Sequence, residues 1–154
     1  GDSYLIDSLL DLGYTNLFLL DISAAAIERA KKRLGDQAKN VTFIVSDSLY
    51  FQSDEKFEVW HDRASFHFFT EANDIEQYKN SVIANTNQNA HFIIGTFSEE
   101  GPLKCSGLPI TQYSIQTMEA VFGNDFELEN CFTEDHETPF DTVQNFIFCH
   151  YMKK

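Results

Sequence analysis

Positive charge is scarce in this sequence: Lys and Arg total 11 against 24 Asp and Glu, a formal charge of −13. A surface that acidic repels nucleic-acid phosphates and anionic lipid, so no nucleic acid and no membrane is expected as a partner. Cysteine is sparse as well. Cys105, Cys131 and Cys149 are an odd number at wide spacing with no CxxC, which argues against a disulfide scaffold and for a reduced, cytoplasmic setting. Cys131 and Cys149 are then expected to pack as small apolar residues. No apolar run approaches the length of a membrane span and no signal peptide is visible, so the expectation is a soluble protein. His136 and His150 with the scattered acids show no metal-ligand spacing, and no metal is expected.

What is present is enough for one packed domain: 154 residues, 43% of them hydrophobic, with 15 Phe against a single Trp. The organising stretch runs from Leu17 to Leu34. The apolar run Leu17-Phe18-Leu19-Leu20 ends in Asp21; Ser23 then opens a segment with Ile27, Ala30 and Leu34 at helical spacing, closed by Gly35. That pattern predicts a buried parallel strand, a turn and a covering helix. The cluster Arg29, Lys31, Lys32 and Arg33 falls on the exposed side of this helix and reads as a solvated face.

Upstream, Leu5, Ile6, Leu9, Leu10 and Leu12 predict a helix with Asp2 or Ser3 as N-cap and Gly13 at its end. Downstream, strands are predicted over 41–47, 57–62 and 91–97, a helix over 74–84, and a long loop over 98–113. Ser114 caps a short helix ended by Gly123, and 126–133 and 145–152 alternate as antiparallel strands around a polar loop containing Pro139. This order implies an α/β fold: a mostly parallel sheet covered by helices on both faces, with a C-terminal antiparallel hairpin.

Three acids end predicted strands: Asp21, Asp47 and Asp62. Acids so placed in a parallel sheet share one rim, where open α/β sheets bind ligands. Asp21 and Asp47 suit a nucleoside, one accepting from ribose hydroxyls and the other from an adenine amino group, with Ile22 and Leu49 flanking the ring. The spacing of 20 from Gly1 to Asp21 is near that between a glycine-rich nucleotide loop and its ribose-binding acid. His61 and His67 are candidate bases, or pack among Trp60, Phe66, Phe68 and Phe69; Arg63 is expected to pair with Asp62 or to contact a carboxylate.

Four segments, LFLLDIS (17–23), VTFIVSDS (41–48), VWHDRASFHFFT (59–70) and TFSEEGPLKCSGLPITQYS (96–114), carry a resemblance. The chain looks like a class I S-adenosylmethionine-dependent methyltransferase, of the small bacterial-type group with a WHDRAxFHF segment. The resemblance covers nearly the whole chain and implies a Rossmann-like fold and S-adenosylmethionine as cofactor. It implies that Asp21 binds the ribose, that Asp47 and the Ser48 amide bind adenine, and that His61, Asp62 and Arg63 lie beside the methionine portion and the methyl group. The pattern departs at the start, where only Gly1-Asp2-Ser3 stands for the glycine-rich loop and the first strand is missing. On that ground residues 1–154 are expected to be a single domain truncated at its N-terminus, and Gly1 and Asp2 are assigned to the cofactor as the tail of the loop. The expected activity is methyl transfer to a small-molecule acceptor, with homo-oligomerisation possible. The alternatives are a non-catalytic binding or assembly protein with this fold, or a nicotinamide-dependent oxidoreductase.

Overall fold

The computed structural model describes residues 3–138 and 142–154. The expectations for Gly1, Asp2 and the Pro139 loop therefore lie outside the described residues. The chain divides into two compact units, Gly1–Phe51 and Gln52–Lys154.

In the first unit, α1 (Leu5–Asp11), β1 (Leu17–Asp21), α2 (Ala24–Leu34) and β2 (Val41–Val45) follow the predicted order, with a 3-10 helix over Gly35–Asn40. Tyr4, not Ser3, is the N-cap of α1; its side chain makes no capping bond, and the Ser3 Oγ accepts instead from the Leu5 N–H at 3.2 Å. Gly13 takes a φ of +87° just past the helix, a conformation that costs a side-chain-bearing residue energy. Ser23 caps α2 as expected, its Oγ accepting from the Ala26 N–H at 3.3 Å. β1 and β2 pair in parallel, Leu17 opposite Val41 through Asp21 opposite Val45. Ile6, Leu34 and Val41 form the buried centre, with Leu10, Leu17, Leu19, Ala38 and Phe43 packed on it. The basic cluster of α2 is more than a solvated face. Arg33 donates through Nε and Nη2 to both carboxylate oxygens of Asp7, at 3.0 and 2.8 Å, and stacks on the Tyr4 ring, which ties α1 to α2.

The second unit opens with β3 (Phe57–Arg63), α3 (Ala72–Asn85) and β4 (Thr86–Phe97). A small hairpin of β5 (Lys104–Cys105) and β6 (Leu108–Pro109) then sits inside the predicted long loop. The unit ends with α4 (Ile115–Phe122), β7 (Phe126–Glu137) and β8 (Val143–Lys153). The sheet order is β3-β4-β8-β7, with β3 parallel to β4 and the last two strands antiparallel, as the terminal hairpin required. Ser114 and Thr117 close a capping box at the start of α4. On one face of the sheet Phe92 packs against Phe122, Phe126, Tyr78 and Tyr151 with centroids 5.1 to 6.4 Å apart. Gly95 permits a close approach on the opposite face: a Cβ there would lie 2.5 Å from the Phe148 ring.

One expectation is overturned in this unit. Cys131 and Cys149 are not separate apolar fillers but a disulfide. They are register partners on adjacent antiparallel strands, so pairing β7 with β8 sets their Cα atoms 4.1 Å apart. Wide spacing misleads here because the hairpin folds the chain back between two cysteines that are 18 positions apart in sequence. Cys105 is free and half-buried. Among the described residues no helix is long and apolar enough to cross a membrane.

Phe92 is fully buried at the centre of the ring cluster. Phe92→Ala should lower unfolding stability by about 3–5 kcal/mol, measured by urea denaturation of the second unit's near-UV signal. A loss below about 1 kcal/mol would contradict the packing described.

Candidate active site

The parallel register of β1 and β2 decides where the first pair of acids goes. Asp21 lies opposite Val45, and the Ser46 N–H donates to the Asp21 carbonyl at 3.2 Å, so Asp47 emerges one residue later on the same rim. Both side chains fold back on their own turns. The Asp21 Oδ1 accepts from the Ser23 N–H at 2.8 Å, and the Asp47 Oδ1 accepts from the Leu49 N–H at 2.9 Å. Both residues are half-buried, so each carboxylate is held in one orientation at a partly wet edge. The Ser48 N–H meets no acceptor among the described residues. Ile22 is 70% exposed beside Asp21, whereas Leu49 is 7% exposed and packed under its turn. Of the two residues expected to flank a ring, only Ile22 presents an open apolar surface.

In the second unit the end of β3 separates three neighbours by strand alternation, since successive side chains point to opposite faces. Asp62 turns toward α3. Its carboxylate accepts from the Tyr78 hydroxyl at 2.6 Å and from the Ser65 hydroxyl at 2.6 Å. Burial pushes its pKa above the ordinary carboxylate value, and the Ser65 and Tyr78 hydroxyls oppose the shift without cancelling it. Arg63 does not pair with Asp62. It lies on the opposite face, its guanidinium stacked 5.0 Å above the Phe146 ring. His61 shares that face and keeps much of its surface. Packing around the ring nevertheless lowers its pKa, against the opposing Asp62 charge.

His67 is placed by the 3-10 helix Phe66–Phe68, which follows Ala64 at a φ of +63°. Its ring is fully buried, stacked on Phe97 at 4.1 Å and 12°, with Phe68 at 4.6 Å. Neither ring nitrogen meets a hydrogen-bond partner among the described residues. Burial pulls its pKa down to about 4. Of the two roles open to it in the sequence, this side chain takes that of a neutral core residue. A buried ring without a path to solvent makes a poor proton carrier.

Ser65 and Tyr78 are not legible as site residues in the sequence. Tyr78 falls on the apolar side of a predicted helix, and only the three-residue spacing from Asp62 to Ser65, a turn signature, hints at a partner.

The chain has counterparts among known proteins. A family model described as "Methyltransferase domain" matches residues 2–146. Among curated protein sequences nothing matches. Among solved structures, one reported for the conversion of a disulfide bond into a thioacetal group during echinomycin biosynthesis has a TM-score of 0.82 at 18% identity, covering 100% of this chain and 72% of that one. A SAM-dependent methyltransferase from Methanosarcina mazei has a TM-score of 0.80 at 12% identity, covering 99% and 88%. The 1,6-didemethyltoxoflavin-N1-methyltransferase of Burkholderia thailandensis, solved with 1,6-didemethyltoxoflavin and S-adenosylhomocysteine, has a TM-score of 0.76 at 13% identity, covering 100% and 68%. At such identities the likeness shows the fold, which is Rossmann-like α/β.

A buried, neutral His67 has a pH signature. The folded state binds this proton more weakly than the unfolded chain, so stability is complete above pH 6.5 and lost as pH falls through the window down to about 4. The loss amounts to about 3 kcal/mol. Urea midpoints measured from pH 7 to 4 should fall more steeply for wild type than for His67→Phe; parallel profiles would show that His67 is not buried neutral.

Proposed function

The chain belongs to the methyltransferase domain family, and on that premise we propose that it transfers the methyl group of S-adenosylmethionine to a small-molecule acceptor. The observation that supports this most is the pair of carboxylates on adjacent parallel strand ends, Asp21 and Asp47, each followed in the chain by a candidate contact, the exposed Ile22 and the unengaged Ser48 amide. That donor and acceptor set fits a nucleoside. Asp21 would take the ribose hydroxyls, Asp47 the adenine amino group and the Ser48 N–H a ring nitrogen, with Ile22 against the base. Leu49, held by its N–H to Asp47, shapes the turn from beneath.

S-adenosylmethionine, when bound, supplies a methyl group already activated on a sulfonium sulfur. The residues of this chain then have to orient the acceptor, exclude water and receive a proton where the acceptor releases one. His61 is suited to receive that proton, because its lowered pKa keeps the ring neutral near pH 7. Arg63, on the same face, offers a cation to an anionic part of the acceptor. Asp62 is a positioning residue, holding the end of β3 through Ser65 and Tyr78. His67, buried and without a hydrogen-bond partner among the described residues, is assigned to the core in this reading. Gly1 and Asp2 are assigned to the methionine end of the cofactor on the resemblance alone, and the segment Trp60–Phe68 supports placing the chain in the group with a WHDRAxFHF motif. A small acceptor agrees with the net charge of −13, which disfavours nucleic acid, and with the small heterocycle for which the Burkholderia protein is named.

Calorimetric titration with S-adenosylhomocysteine tests the reading. Asp21→Ala and Asp47→Ala should each weaken binding by about 1.5–3 kcal/mol, roughly 10- to 150-fold. Circular dichroism confirms that the variants fold. Binding by a folded Asp21→Ala protein as tight as that of wild type would sink the cofactor assignment.

A further inference from the structure

The exposed face of the second unit's sheet carries two imidazoles that touch. His91 on β4 and His150 on β8 bring Nδ1 and Nε2 to 2.9 Å, with ring centroids 5.0 Å apart. Met152 is the register partner of His91 and lies two residues from His150 along β8, so strand alternation puts all three side chains on the same face. His91 is exposed, and His150 and Met152 are half-buried. Around them stand Val59 opposite His91 on β3, Ile93 opposite His150 on β4, and Asn130 and Glu127 opposite His150 and Met152 on β7.

We propose that His91, His150 and Met152 form a copper-binding site, on the sheet face that also carries His61 opposite Ile93. Two nitrogens bound cis on a tetragonal ion are about 2.9 Å apart at metal–nitrogen distances near 2.0 Å. The hydrogen-bonded pair thus already has the spacing, and modest rotation of the rings aims both lone pairs at one ion. The proton now shared between them moves to the far nitrogen of its own ring, so a neutral pair binds the ion without releasing a proton. The thioether selects the metal. Imidazole alone accepts zinc, nickel or copper, but a soft sulfur beside two nitrogens favours copper, most of all Cu(I). No group of three or more His, Cys, Asp or Glu able to hold a metal occurs among the described residues. The set is therefore two nitrogens and one sulfur, completed by water, and the bound ion should exchange with solution.

The test uses the untagged full chain carrying Cys105→Ser, which removes the free thiol as a competing ligand. Cu(II) titration followed by electron paramagnetic resonance should show one ion per chain with nitrogen hyperfine structure and a dissociation constant on the order of micromolar. His91→Asn and His150→Asn should each weaken binding by at least about tenfold, while His136→Asn leaves it unchanged. Cu(I) affinity, read by competition with a chromogenic chelator in ascorbate, should fall in Met152→Leu while Cu(II) affinity does not. Copper that binds the double variant His91→Asn/His150→Asn as tightly as the parent, or a folded parent chain that binds no copper below millimolar concentration, would overturn the site. Neither result bears on S-adenosylhomocysteine binding.

Discussion

The proposed site depends on the parallel ladder between β1 and β2. Parallel strands release their chains at the same edge, and because these two are direct neighbours, the acids that follow them emerge side by side. Had a third strand come between, Asp21 and Asp47 would be separated by a further strand width. The residues that enforce the pairing are not the acids themselves: Leu17, Leu19, Val41 and Phe43 pack with Ile6 and Leu34, so burial of one apolar stripe fixes a register whose consequence appears at the C-terminal ends of the strands.

Each acid also serves its own turn, and the local and functional roles do not compete. A carboxylate that accepts from the backbone two residues on is held at one rotamer by a bond to a single oxygen. Such a side chain has lost its rotational entropy before a ligand arrives, which lowers the cost of binding. The turn is therefore a means of orienting the group.

The strand-helix unit around Asp21 is fully legible in the sequence, because capping, apolar spacing and a terminal glycine all agree there. The terminal strands are legible for the same reason, since alternation is a local signal. Long-range consequences of the fold are less so. The Cys131–Cys149 bond exists because a hairpin register sets two residues opposite each other, and no spacing rule contains that register. Asp62 and Arg63 look like an ion pair because they are adjacent in sequence, yet adjacency in a strand is what parts them. Tyr78 reads as an apolar contact, and its hydroxyl becomes visible as a donor only once α3 is set against the end of β3.

The fate of Asp62 explains how the end of β3 divides its duties. A carboxylate removed from water and not paired with Arg63 is stabilised by neutral donors, here the Ser65 and Tyr78 hydroxyls and the Ser65 backbone. Neutral donors recover part of the desolvation cost, so the raised pKa persists. The acid is thereby bound into the scaffold and is a poor candidate to exchange protons with an acceptor. Arg63, freed from Asp62 by alternation, keeps its charge on the opposite face, and His61 keeps a neutral ring beside it. A reaction driven by an electrophilic sulfonium needs little more than alignment, exclusion of water and one nearby proton acceptor. In the reading proposed, one fixed acid and two exposed basic groups serve that chemistry without a catalytic dyad.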